Sequence, residues 1–222
     1  TSGASLTPRD VSEALKLPSV IGLGEMMNYP GVLSCSPQVI KKLELAKKSH
    51  LIIDGHAPGL RGKELCGYIA SGVRSDHKSV EGEEALEKLR LGMWLMIRES
   101  STSKDLANLI KPLVKGNVDY RHCMFVSDDR SVNDLLVEGH MDHILRRAIS
   151  KGMDPLTAIQ LATVNSATYM GIDEEIGSIS PGCFGDILLV KDLQRLDIQR
   201  VISMGREIDL SRFPQKRRYP KA

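Results

Sequence analysis

Aromatic side chains are scarce, at 4% of 222 residues, so the core must rest on Leu, Ile, Val, Met and Ala. A strong charge of either sign is also missing. The formal net charge is +2, which argues neither for nor against an acidic partner. Basic residues gather only near the end, at Arg212, Lys216, Arg217, Arg218 and Lys221. Tyr219 is the single aromatic among them, and Pro214 and Pro220 oppose a helix, so this run reads as a solvated tail and no nucleic-acid partner is expected. No apolar run approaches the roughly 18 residues of a membrane span. No charged-then-apolar leader stands at Thr1 either, so the expectation is a cytoplasmic protein without a membrane partner. Cys35, Cys66, Cys123 and Cys183 lack C-x-x-C spacing. That excludes a zinc ribbon and, in a chain this long, argues for reduced thiols over a disulfide framework. Two nucleotide-site signatures are absent as well: a phosphate loop ending in Lys-Ser/Thr, and the H-x-E with P-C-x-x-C of cytidine-deaminase zinc sites.

What is present is ordinary globular composition, with 41% hydrophobic and 26% charged residues, enough to bury a core. Short apolar runs alternate with amphipathic stretches. Strands are predicted at Ser19–Gly24 ending on Glu25, Leu51–Asp54 running into His56, Val73–His77, Met93–Ile97 ending on Arg98, and Cys123–Val126. Between them helices are predicted over Ser36–Lys48, opened by Pro37, Gly62–Ala70, Glu81–Leu91 with Leu86, Leu89 and Trp94 near helical spacing, and Lys104–Val114. Such alternation predicts parallel βα units, because a parallel connection needs a crossover that a helix supplies. The units build an open doubly wound sheet or a closed (β/α)8 barrel. After Asp129 the chain turns helical. Asp154-Pro155 starts a helix with Leu156, Ile159, Ala162 and Thr163 on one face, and Asn165 is the expected cap of a last helix ending near Gly171. From Ile176 short β runs with Gly and Pro predict a small antiparallel element, placing a domain boundary near residue 174.

Glu25, His56, His77 and Asp128 each fall at the C-terminal end of a predicted strand. In parallel α/β architectures those ends share one face, where sites are built. Two carboxylates and two imidazoles are hard and borderline ligands suited to Zn, Mn or Fe. A divalent ion there lowers the pKa of water from 15.7 to about 7, and Asp128 is placed to take the proton and return it to a leaving group. Arg98 and Glu99, at the same rim, are assigned with Asp129 to substrate binding: the arginine to orient a polar heterocycle, the carboxylate to accept from a ring N–H. An ion pair with a neighbouring loop is the alternative for Arg98 and Glu99. His140 and His143 share a helix face in this reading but lack a third ligand, which favours a structural role. His50 and His122 precede strands and receive no assignment. Gly55, Gly59 and Gly62 permit an unusual backbone path around His56.

Several long segments carry a resemblance: Gly22-Leu-Gly-Glu-Met-Met-Asn-Tyr-Pro-Gly-Val, Asp54-Gly-His-Ala-Pro-Gly-Leu-Arg-Gly-Lys-Glu-Leu, Met96-Ile-Arg-Glu-Ser and Val126-Ser-Asp-Asp-Arg. Glu138-Gly-His-Met-Asp-His and Pro181-Gly-Cys-Phe-Gly-Asp add to it. With them the chain, from about Val20 to Ile208, resembles the adenine deaminases of the amidohydrolase superfamily. The resemblance implies a (β/α)8 barrel with a binuclear divalent metal site, manganese or iron expected and zinc the alternative. It implies hydrolysis of adenine to hypoxanthine and ammonia by a metal-activated hydroxide. Glu25 would be the bridging carboxylate of the fourth strand, His56 and His77 the ligands of the fifth and sixth, and Asp128 the eighth-strand ligand and proton shuttle. Glu25, His77 and Asp128 are thus the expected catalytic residues.

Three departures accompany it. The family's His-x-His of the first barrel strand is nowhere in the chain, and a whole barrel takes about 250 residues. The expectation is therefore a fragment: strands four to eight of an α/β TIM-type barrel over residues 1–174, then the start of a β-rich domain and the basic tail over 175–222. Lys78 stands where the family carries Glu, and Ser100 where it tends to have Gly. The first of these keeps open another amidohydrolase acting on a different purine or a cyclic amide. The incomplete ligand set keeps open a non-catalytic metal-binding module. Unpaired strand edges predict self-association, and a homo-oligomer is expected.

Overall fold

The chain enters its first helix, α1 (Pro8–Ala14), through Thr7, whose hydroxyl accepts from the Asp10 N–H while the Asp10 carboxylate accepts from the Thr7 N–H. This reciprocal cap satisfies two backbone donors that a helix start leaves over. The computed structural model describes residues 3–116 and 118–212. The basic cluster from Lys216 to Lys221, read above as a solvated tail, lies outside the described residues. The chain divides into two units, Thr1–Met96 and Ile97–Ala222.

In the first unit, β1 (Gly22–Met26) leads through the short α2 (Tyr29–Leu33) to α3 (Pro37–Lys48), then β2 (Ile52–Gly55), α4 (Gly62–Ala70), β3 (Ser75–Asp76), α5 (Gly82–Arg90) and β4 (Trp94–Arg98), whose last two residues enter the second unit. The pairings β1–β2 and β3–β4 are parallel, with Leu23 opposite Ile53 and Asp76 opposite Leu95. Arg74 N–H donates to Ile53 O at 3.0 Å and Trp94 N–H to Arg74 O at 2.8 Å, so consecutive strands lie side by side. The crossover helices explain this, because each carries the chain back to start the next strand in the same direction. Val39, Leu43 and Ala46 of α3 pack with Ile53, Leu65, Tyr68, Val73 and Met93 in the core. Gly55 sits where β2 passes β3: a Cβ there would collide with the Ser75 carbonyl oxygen and press on Val73.

Two expectations change here. The third strand is two residues long, not five, because the Asp76 carboxylate accepts from the N–H groups of Lys78 (3.2 Å) and Ser79 (2.9 Å) and turns the backbone. The inward face of α5 is Glu84, Ala85 and Lys88, while Leu86 and Leu89 are only partly buried.

In the second unit Glu99 N–H donates to Val126 O at 3.1 Å, setting the end of β4 beside β5 (Cys123–Val126). The intervening α6 (Leu106–Lys115) buries Leu106, Leu109, Ile110 and Leu113, the spacing of one helical face. Then follow α7 (Val132–Val137), α8 (Met141–Ser150), α9 (Pro155–Ala162) and α10 (Val164–Met170). Asp154 caps α9, accepting from Thr157 N–H at 2.9 Å, as expected. The buried face of α9 is Pro155, Ala158 and Leu161, and Leu156 is 60% exposed, against the predicted face. Asn165 is no cap: it lies inside α10, and its Nδ2 donates to Tyr120 O and Cys123 O, both at 2.8 Å, tying the helix to the start of β5. Gly171 ends α10 with φ of 69°, left-handed as such an end requires. β6 (Ile187–Val190), β7 (Ile198–Ser203) and β8 (Arg206–Glu207) form the antiparallel element, with Leu188 opposite Val201 and Ser203 opposite Arg206. Among the described residues no helix is long and apolar enough to cross a membrane.

Candidate metal centre

Three of the four proposed ligands meet at the strand ends of the first unit. Glu25 lies within β1, His56 follows β2 directly, and His77 follows β3. The Glu25 carboxylate oxygen Oε2 is 2.6 Å from His77 Nε2 and 3.1 Å from His56 Nδ1. One ligand atom from each residue lies within 4.8 Å of the other two, and among the described residues no other three His, Cys, Asp or Glu side chains gather this way. The rings meet edge to face, centroids 5.2 Å apart and planes at 86°, which lets both present nitrogen to one point. The imidazoles are mostly shielded, at 14% and 11% exposure, while Glu25 is 35% exposed. One carboxylate oxygen and two imidazole nitrogens form a borderline donor set that suits a divalent transition metal, so the residues present fit such an ion.

The backbone around the triad is pinned by buried side chains. Tyr68 of α4 donates its hydroxyl to Met26 O at 2.6 Å and accepts from His56 N–H at 3.0 Å, linking the backbone beside Glu25 to that of His56. Burial raises the Tyr68 phenol above its ordinary range, which keeps it a donor. The Ser75 hydroxyl donates to the Asp54 carboxylate, a further tie between the second and third strands. Beyond His56 the loop passes through Gly59 and Gly62, with φ of 71° and 61°, which glycine adopts without penalty. Their N–H groups donate to Glu84 and Glu87 of α5 at 2.8 and 2.7 Å.

Asp128 belongs to the second unit, just past β5, with φ of 50°. Its Oδ2 accepts from Arg98 Nη1 at 2.8 Å and its Oδ1 from Asp129 N–H at 2.8 Å. The Arg98 side chain is 4% exposed and also holds Asp105 Oδ2, through Nε at 3.1 Å and Nη2 at 2.5 Å. Glu99 is fully buried, with Arg147 Nε 2.8 Å from its Oε1. Burial raises the Glu99 carboxyl, opposed by the Arg147 charge. Asp129 is exposed, and its carbonyl accepts from Ser101 N–H at 2.9 Å. His140 and His143 have separate partners: His140 Nε2 lies 3.0 Å from Ser127 Oγ, and His143 Nε2 lies 3.5 Å from Glu138 Oε2. Residue reading missed Tyr68 and Asp105. A buried tyrosine in a chain so poor in aromatics was the available signal, since its hydroxyl must find a partner.

With this geometry in hand, the sequence matches the amidohydrolase family over residues 9–208. An adenine deaminase of Dehalococcoides mccartyi is 48% identical over 205 residues, covering 92% of this chain and 35% of that protein. One of Archaeoglobus fulgidus is 47% identical over 214 residues, covering 96% and 36%. The chain thus spans little more than a third of these relatives. Among solved structures, molinate hydrolase aligns with a TM-score of 0.64 at 16% identity, covering 98% of this chain and 58% of that one. A β-aspartyl dipeptidase of Fervidobacterium islandicum aligns at 0.61 and 16%, covering 93% and 62%. At such identities the likeness concerns the fold, a TIM-barrel-like α/β arrangement.

Proposed function

The chain belongs to the amidohydrolase family, and from that premise we propose that it forms part of an enzyme that deaminates adenine hydrolytically to hypoxanthine and ammonia. In this reading β1 to β5 are strands four to eight of a (β/α)8 barrel over residues 1–174, and residues 175–222 begin a β-rich domain. The observation that carries it is the meeting of Glu25, His56 and His77 on one point, alongside relatives named adenine deaminase at 48% and 47% identity.

Glu25, His56 and His77 would hold a divalent ion, manganese or iron in preference to zinc. Such an ion supplies Lewis acidity and brings the pKa of water to about 7. The two histidines would contribute imidazole nitrogens, and Glu25 would offset part of the cation's charge. Asp128, the expected proton shuttle, would accept one proton of the water as its oxygen bonds to C6 of the base and deliver it to the departing amino group; with the second proton passing to N1, ammonia leaves and a carbonyl remains. Arg98 acts through Asp128, fixing the orientation of that carboxylate from a buried position. Asp129 is the exposed group proposed to meet the base, and Glu99 supports the rim through Arg147.

The test is conversion of adenine by the protein expressed from its full reading frame with manganese, followed by ultraviolet absorbance, with His77→Ala as the control. Activity lost in the control supports the reading. Metal-loaded protein that ignores adenine but hydrolyses other aminopurines or cyclic amides would move the substrate to that alternative, which the positive Lys78 beside a ligand favours. The 222 residues alone, lacking a His-x-His, should release ammonia from adenine far below an ordinary enzymatic rate.

A further inference from the structure

Lys88 is the unusual residue of α5. Its side chain is 0% exposed, on a helix whose sequence is mostly charged. A lysine fully removed from water must spend its three N–H donors on nearby acceptors. Here the ammonium shares its three protons among four acceptors, Ala57 O at 2.7 Å, Asp76 Oδ2 at 2.9 Å, Ser79 Oγ at 3.1 Å and Glu84 Oε1 at 2.6 Å. Two of those acceptors flank candidate ligands: Ala57 is the residue after His56, and Asp76 the residue before His77. Asp76 Oδ1 in turn accepts from Ala57 N–H at 2.7 Å. Both polar groups of the Ala57 backbone are therefore held by one ion pair whose anionic half carries His77. Its cationic half reaches the strands from the helix that follows β3.

We propose that Lys88 is a positioning residue for the metal triad: it locks the backbone of His56 to that of His77 and sets the separation at which their nitrogens meet Glu25. A helix lysine used only to stabilise the fold would not need to bind the segments next to two ligands at once. Charge-assisted bonds of this kind are short and directional, so they fix the relative position of the groups they join.

The inference rests on the metal reading above, and cobalt(II) binding by the full chain tests the two separately. Affinity comes from titration, geometry from the visible absorption at saturation, and fold from circular dichroism and the melting temperature in chelator. Lys88→Met should bind cobalt roughly 10–100-fold more weakly, the range for outer-shell partners of a metal site, with a changed absorption band even when saturated. Glu83→Gln, an exposed change on the same helix outside the Lys88 bonds, should keep the parent band. Lys88→Met/Glu84→Gln removes one of the two buried carboxylates that the lysine loss strands, and reads the effect if the single variant does not fold. A lowered melting temperature with unchanged cobalt affinity and band would overturn the proposal, as would failure of both Lys88 variants to fold, which assigns the residue to the fold alone. A parent chain that binds no cobalt would end the metal reading and this inference with it, whereas a responsive parent with indifferent Lys88 variants ends the inference only.

Discussion

Glu25 is the residue on which the triad turns, because a single oxygen faces both imidazoles. Glu25→Gln keeps the shape and removes the charge. It should weaken manganese binding by more than roughly tenfold, the low end for altering even an outer partner. Calorimetric titration checks this, and equal affinity would remove Glu25 from the ligand set. Thiol chemistry offers a second residue-scale test. Burial pushes the Cys123 thiol up to about 12, while Cys35 and Cys66 are exposed. The thiolate is the reactive form, so from pH 7 to 10 Cys123 stays protonated and inert. Iodoacetamide followed by peptide mass mapping should label Cys35 and Cys66 in the folded chain and Cys123 only in denaturant; labelling of folded Cys123 would contradict its burial. The meeting of Glu25, His56 and His77 could be anticipated because strand ends share a face and histidine, being uncommon, stands out there. Lys88 and Glu84 could not be, since burial of charge depends on partners distant along the chain, which periodicity does not register.

Elements were legible where their signals were local. Pro37 and Asp154 start α3 and α9 where expected, because an N1 proline and a capping carboxylate act within one turn. Faces were less so. The predicted stripe of α9 followed its largest apolar residues, yet the helix packs through the small Pro155 and Ala158 with Leu161, leaving Leu156 outside. Asn165 shows the same limit: its residue type suits a cap, but its amide serves two carbonyls more than forty positions earlier. Asn165→Ala leaves those carbonyls short of a donor, which costs about 1–3 kcal/mol per unsatisfied group when buried. Urea unfolding followed by a probe in the second unit should show a loss in that range. A change below the error of the measurement would mean that water replaces the amide.

For the molecule as a whole, alternating strands and helices announced the parallel α/β order, while the division at Met96 and Ile97 had no mark in composition, since it falls inside the apolar run of β4. That division gives metal binding a spatial consequence. A ligand that binds only the folded state stabilises what it touches, by about 2.7 kcal/mol at a hundredfold excess over Kd. The triad is drawn wholly from residues before Met96. Manganese should therefore slow amide hydrogen exchange most in β1, β2, β3 and the loop from His56 to Gly62. In β6 and β7, which pair with each other in the second unit, it should change little. Mass-spectrometric exchange with and without the ion makes the comparison, and His56→Ala should abolish the difference. Protection spread evenly along the chain would mean that the ion stabilises both units together, and protection confined to segments that carry none of the triad would mean that it is held elsewhere than by Glu25, His56 and His77.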